Sequence, residues 1–218
     1  MKISVIGDSH TRIFSNNNIF TPFFFGPGSS YNLIHNPIGI KKKIRHTITT
    51  IKKEFDYNMI LIGEPSCRFQ VANDHYIYQK NYPFYDKVNK RQLEKITKHY
   101  IDIISEHKNS NIIVCAPISV YKQSIHFSKI FSSRLQEACK EKKVLFIDVK
   151  KYIIDEEGNI DDKYCADPIH ASQEILPHIE KCFSDIAIPI EIKLQKKQNL
   201  KQIKSNFKYN KRFDCYVA

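Results

Sequence analysis

Four short apolar runs, residues 2–6, 59–62, 111–116 and 144–149, alternate along the chain with longer stretches whose apolar positions recur at intervals of three and four. Runs this short suit strands buried on both faces of a sheet. The longer stretches read as amphipathic helices. In the first, Ile40, Ile44, Ile48, Ile51 and Phe55 form one face, while Lys41, Lys42, Lys43, Arg45, Lys52 and Lys53 occupy the other, as a 3.6-residue period requires. Leu93, Ile96, Tyr100, Ile103 and Ile104 repeat the arrangement, and so do Phe127, Ile130, Phe131, Leu135, Ala138 and Cys139. A last stripe, Ile175, Leu176, Ile179, Cys182, Phe183 and Ile186, predicts a terminal helix in which Pro177 either makes a kink or sits in the first turn.

Strand and helix in regular alternation predict an α/β fold with a parallel sheet covered by helices on both faces. Ligands in such folds bind beyond the carboxyl ends of the strands. The residues that fall there are Gly7-Asp8-Ser9-His10, the stretch Gly63-Glu64-Pro65-Ser66-Cys67-Arg68, Pro117 onward, and the segment after Val149. Residues 20–31 and 69–88 read as irregular stretches on the same rim. The second carries Tyr76, Tyr78, Tyr82, Phe84 and Tyr85, either a locally packed loop or a surface for stacking on sugar rings.

With 218 residues, the chain suits one domain of ordinary size. Hydrophobic residues make up 42% and charged residues 26%, which excludes global disorder, collagen-like repeats and a disulfide-dense miniature. No apolar run approaches the roughly 20 residues of a membrane span, and the start of the chain lacks a signal-peptide pattern. A cytoplasmic protein with no membrane partner is expected. Six cysteines, Cys67, Cys115, Cys139, Cys165, Cys182 and Cys215, lie without CxxC or paired-His spacing. They predict reduced, buried thiols, with neither a metal nor another cofactor expected.

The formal charge is +11, and its distribution is uneven. Residues 191–218 hold eight lysines and arginines against Glu191 and Asp214, so this stretch carries +6 and the remainder +5. A domain over 1–190 followed by a basic extension over 191–218 is the expected organisation. Such an extension is read as a solvated tail or docking strip, and nucleic acid is not the expected partner.

Two segments carry the candidate chemistry. Ser9 follows the first strand beside Gly7, and a serine on a tight strand-to-helix turn presents its hydroxyl at the sheet rim. Serine needs a base to take its proton, and the base needs a group that orients it. Asp167-Pro168-Ile169-His170 supplies both on one turn, because Asp and Pro favour the first two positions of a type I turn. Taken separately, Gly-Asp-Ser is also an ordinary loop composition and Asp-Pro an ordinary surface turn. His10, His75, His107 and His178 show no metal-ligand spacing and are assigned no role.

Together the two segments resemble the blocks of the SGNH, or GDSL-type, hydrolase family over roughly residues 1–188. The resemblance implies a three-layer α/β/α sandwich with a mostly parallel, flavodoxin-like central sheet. It makes Ser9 the nucleophile, His170 the general base and Asp167 the orienting carboxylate. It also implies a backbone oxyanion donor in Phe25-Gly26-Pro27-Gly28-Ser29-Ser30, either Gly26 or Gly28. The family's third block normally reads Gly-x-Asn-Asp, with the asparagine as a further donor. Here Pro65 stands at that position and has no amide to offer.

The stretch Gly63-Glu64-Pro65-Ser66-Cys67-Arg68 instead resembles a divergent Gly-Glu-Ile-Asp-Cys-Arg motif of a subgroup linked to bacterial or viral glycan metabolism. Gly63, Glu64 and Arg68 are therefore candidate oxyanion or substrate-binding residues. Arg68 either stabilises an oxyanion, grips an acidic substrate, or serves as a structural partner of Glu64. The implied activity is a serine esterase that deacetylates a carbohydrate or hydrolyses another small ester. Two alternatives stay open: an O-acyltransferase using the same acyl-enzyme, and a degenerate scaffold that binds glycan or nucleic acid through its basic tail.

Overall fold

Successive residues of the central strands face opposite sides of one sheet, and both sides are apolar. Ile3 and Val5 of β1 (Ile3–Gly7) pack into one cluster, and Ile6 packs into the other. Met59 and Leu61 of β3 (Tyr57–Leu61) divide from Ile60 in the same way. In β4 (Ile112–Cys115), Ile113 and Cys115 divide from Ile112 and Val114. A period of two with no polar face explains why these segments read as continuous apolar runs. Ser4 and Asn58 interrupt the pattern as a facing pair across β1 and β3, and the Ser4 hydroxyl donates to Asn58 Oδ1 over 2.8 Å. Neither polar group is left without a partner inside the core.

The computed structural model describes residues 1–25, 37–51, 53–63, 94, 97–107, 111–120, 125–195, 208–210 and 215–217. The remaining strands are β2 (Phe20–Phe24), β5 (Leu145–Ile147), β6 (Lys208–Asn210) and β7 (Cys215–Val217). They form one sheet in the order β5-β4-β3-β1-β2-β7-β6. All neighbours are parallel except β6 and β7, which form an antiparallel pair at one edge. The first five strands therefore follow the doubly wound, flavodoxin-like order, with its switch point between β1 and β3.

The helices cover both faces. Helices α1 (Pro37–Ile51), α2 (97–105) and α3 (Ile125–Lys142) contribute Ile44, Ile48, Tyr100, Ile104, Phe131 and Leu135 to one cluster. Helices α4 (Lys150–Ile153) and α5 (Leu176–Asp185) contribute Ile153, Leu176, Ile179, Cys182 and Phe183 to the other. Full burial of each such side chain is worth roughly 1.5–3 kcal/mol, so two opposed apolar faces hold the sandwich together. Pro177 lies in the first turn of α5, where its missing N–H breaks no helical bond. Ile130 departs from its predicted place on the buried face of α3 and is 43% exposed.

Residues 20–24 form a strand, β2, where the sequence pattern predicts an irregular stretch. Pro22 and the unbroken Phe run conceal it, since proline is ordinarily excluded from central strands. Here β7 pairs only with Phe23 and Phe24, leaving Pro22 beyond that ladder. The segment read as a basic extension is joined to the sheet: β7 lies beside β2, and residues 193–195 bond to residues 16–18. Cys115, Cys139 and Cys182 are buried free thiols and Cys165 is a half-buried one. Among the described residues no helix is long and apolar enough to cross a membrane.

Candidate active site

β1 ends at Gly7, which is pressed against β3. A Cβ added there would lie 1.9 Å from the Leu61 carbonyl oxygen, so only glycine permits this approach. The chain then turns directly into a 3₁₀ helix (Ser9–Phe14) capped by Asp8, whose side chain accepts the His10 N–H over 3.0 Å. Ser9 thus occupies the first helical position at the switch point of the sheet. Its N–H belongs to the first turn, whose amides have no acceptor within the helix.

The second segment comes from far along the chain. Asp167 folds its own turn, with Oδ1 accepting the N–H of Ile169 over 3.0 Å and of His170 over 2.8 Å. The side chain closes the turn on one side, and on the other the His170 carbonyl accepts the N–H of Ala166 over 2.8 Å and of Asp167 over 3.4 Å. The same carboxylate meets His170 Nδ1, at 3.0 Å for Oδ1 and 2.8 Å for Oδ2. A carboxylate can only accept, so Nδ1 carries the proton and Nε2 presents its lone pair. His170 Nε2 lies 3.2 Å from Ser9 Oγ. The three residues singled out from the sequence form one connected chain of hydrogen bonds.

Their electrostatics are complementary. Burial pushes the His170 pKa down from its ordinary 6.5, the Asp167 hydrogen bond opposes this, and the nearby positive charges of His10 and Arg12 push it further down. The net direction is downward, which keeps the ring neutral at neutral pH. Partial burial works to raise the Asp167 pKa, but the N–H groups of Ile169 and His170 and the His170 ring outweigh it. The carboxyl is held well below the usual carboxylate range.

The structure adds three residues without assigned roles in the sequence reading. Asp8 and His10 are fully buried beside Ser9. His10 Nδ1 lies 3.1 Å from Asp8 Oδ1, its Nε2 lies 3.1 Å from the Ile169 carbonyl oxygen, and its ring centroid is 4.9 Å from that of His170. Arg12 donates from Nη2 to Asp167 Oδ2 over 3.0 Å. The one available signal was that an acid and an imidazole flank Ser9 in sequence. Asp8 meets Gly63, 55 positions away, and His10 meets Ile169, 159 positions away, where periodicity carries no information.

Gly63 joins this cluster in the left-handed region, at φ +115°. Its N–H donates to Asp8 Oδ2 over 3.3 Å, so the amide is engaged with Asp8. Gly26, Gly28, Glu64 and Arg68, with the aromatic segment at 69–88, lie outside the described residues. Among the described residues no group of His, Cys, Asp or Glu has the arrangement of a metal site.

No family model and no curated protein matches the sequence. Solved structures do match in fold. An acetylxylan esterase from Geobacillus stearothermophilus, solved as a catalytic mutant with a histidine replaced by alanine, superposes with a TM-score of 0.58 at 13% identity, over 87% of this chain and 94% of that one. A second catalytic mutant of the same enzyme, with a serine replaced by alanine, gives 0.54 at 13% identity over 84% and 92%. A proposed lipolytic protein of the G-D-S-L family from Desulfitobacterium hafniense gives 0.55 at 14% identity over 85% and 98%. With this strand order and these neighbours, the chain has the α/β/α fold of the SGNH, or GDSL-type, hydrolases.

Proposed function

We propose that the protein is a serine-dependent carboxylic ester hydrolase, with Ser9 as nucleophile, His170 as general base and Asp167 as the carboxylate that orients the imidazole. The observation that carries this reading is the 3.2 Å approach of Ser9 Oγ to a His170 ring whose other nitrogen is held by Asp167. That distance is the reach expected of a nucleophile and its base.

In the first half-reaction the Ser9 hydroxyl proton moves to His170 Nε2 as Oγ bonds to the ester carbonyl carbon. Negative charge develops on the carbonyl oxygen, and the first-turn N–H of Ser9 is a preorganised donor for it. Collapse of the tetrahedral intermediate breaks the bond to the alcohol oxygen, which takes the proton from His170. Water then repeats the sequence on the acyl-enzyme and releases the acid and free Ser9. Asp167 stabilises the imidazolium that forms in each step. The unusual stretch from Gly63 to Arg68 is read as supplying substrate contacts in place of the asparagine it lacks.

An acetylated carbohydrate or similar small ester is the proposed substrate class. The Gly-Glu-Pro-Ser-Cys-Arg stretch and the fold shared with acetylxylan esterases support it. The test is p-nitrophenyl acetate hydrolysis by wild type and Ser9→Ala, together with fluorophosphonate labelling and mass spectrometry of the modified peptide. Loss of turnover in the variant and an adduct on Ser9 are expected. Equal rates in the two proteins reject the proposal.

A further inference from the structure

His10 is buried beside Ser9 and spans the two segments that must meet. Its ring bridges the Asp8 carboxylate, at 3.1 Å from Nδ1, and the Ile169 carbonyl oxygen, at 3.1 Å from Nε2. Asp8 sits at the mouth of β1, immediately before Ser9. Ile169 is the neighbour of His170. One side chain therefore links the backbone that carries the nucleophile to the backbone that carries the base.

The chemistry of the two acceptors limits what the ring can be. A backbone carbonyl has no proton to give, so the bond to Ile169 exists only when His10 Nε2 is protonated. With Nε2 protonated, Nδ1 faces a carboxylate oxygen, and a proton must lie between them as well. Asp8 is itself tied down, since it accepts the His10 N–H over 3.0 Å and the Gly63 N–H over 3.3 Å. A carboxylate with these partners cannot swing away to relax the ring. Both residues are fully buried, so water does not compete for the bond between them.

Resting on the esterase reading given above, we propose that His10 is a positioning residue that sets the approach of His170 to Ser9 by holding the Ile169 carbonyl through its Nε2–H. A second acid–imidazole pair, Asp8–His10, thus stands beside Asp167–His170, with ring centroids 4.9 Å apart. The first pair fixes the place of the second. Two other tethers cross the same seam: Arg12 to Asp167 over 3.0 Å, and Gln173 Nε2 to the carbonyl oxygens of Ile13 and Ser15 over 3.1 and 2.8 Å. Arg12 holds the start of the turn and Gln173 lies in the 3₁₀ helix that follows it, whereas His10 alone among them holds the residue adjoining the base. Displacements of about 1 Å in such geometry cost on the order of 10²-fold in rate.

Two variants separate positioning from general support of the fold. In His10→Asn the amide replaces Nδ1, so Asp8 keeps a donor while Ile169 loses one. In His10→Gln the amide replaces Nε2 and can reach Ile169. The readouts are the rate of Ser9 labelling by a fluorophosphonate, and kcat and KM for p-nitrophenyl acetate. For His10→Asn, labelling and kcat are expected to fall about 10²-fold with KM within about twofold, and His10→Gln is expected to recover at least about tenfold of the loss.

Wild-type labelling with an unimpaired, folded His10→Asn overturns the proposal and leaves the esterase reading standing. Wild-type protein that takes no label on Ser9 overturns the esterase reading, and this proposal with it. Should the variants fail to fold, long-range proton–nitrogen NMR of the wild-type His10 ring decides the matter: a protonated Nε2 is expected, and an unprotonated one overturns the proposal.

Discussion

Arg12 donates from Nη2 to Asp167 Oδ2 over 3.0 Å, the same oxygen that meets His170 Nδ1 at 2.8 Å. The guanidinium thus competes for part of the charge that steadies the imidazole. Both side chains of the ion pair are about one-third exposed, so solvent and salt screen the interaction. Arg12 also lowers the His170 pKa. Replacing Arg12 with alanine is expected to raise the midpoint of the acid limb of the pH–rate profile and to change kcat on the plateau by less than about tenfold. The shift should be larger at low than at high salt. Profiles of the two proteins at two ionic strengths check this.

The wild-type profile itself follows from His170. A general base works only when neutral, and the folded-state pKa of this ring lies below 6.5 because of burial and the cationic groups near it. Activity is therefore expected to be flat through neutral pH and to fall as pH drops through a midpoint below 6.5. Titration of His170 by NMR in the Ser9→Ala variant should reproduce the midpoint. A midpoint above 6.5 would contradict the environment described here.

Removing members of the cluster should be strongly non-additive. Asp167→Asn disturbs the tautomer that leaves Nε2 free and is expected to lower kcat by about 10⁴-fold. Ser9→Ala and His170→Ala are each expected to lower kcat to the same floor, and the double variant to fall no further, because the residues act as a unit. Steady-state kinetics of the four variants decides it. Additive losses would show that the hydroxyl and the imidazole act separately.

Gly7 is a test of the scaffold. Alanine would bring a methyl carbon to 1.9 Å from the Leu61 carbonyl oxygen, and relief requires moving β1 against β3. Gly7→Ala is expected to cost about 3 kcal/mol, the upper part of the range for overpacking. For a chain of this size that is a fall in Tm of roughly 6–12 °C. Thermal unfolding monitored by circular dichroism measures it.

Lys150 is a buried cation whose partners are none of Ser9, Asp167 and His170. Its buried ammonium donates to the Pro117 carbonyl over 3.0 Å and to Ser132 Oγ over 2.7 Å, and it pairs with Asp148 Oδ1 at 3.0 Å. Lys150→Met leaves those groups short of a donor and is expected to destabilise by about 3 kcal/mol. Esterase activity per folded molecule should be unchanged. A loss of activity in stably folded variant protein would tie this cluster to the site.

What the amino-acid order determines here is local and periodic. Buried strands such as 111–116 and amphipathic helices such as the one built on Ile44, Ile48 and Ile51 announce themselves because burial on one or two faces imposes a period on the chain. The Gly7-Asp8-Ser9 and Asp167-Pro168-Ile169-His170 segments were legible for the same reason, since each is a short turn whose chemistry lies within a few residues. β2 was not, because Pro22 masks a strand that only its neighbours β1 and β7 reveal. Nor were the roles of Asp8, His10 and Arg12, since Asp8 meets Gly63 and the other two meet a turn more than 150 positions away. Tertiary structure decided that the ends of β1 and β3 lie side by side and that the turn at 167–170 folds over them. A proton acceptor for Ser9 exists only once chain-distant groups are brought within a hydrogen-bond length, and no period in the sequence records that distance.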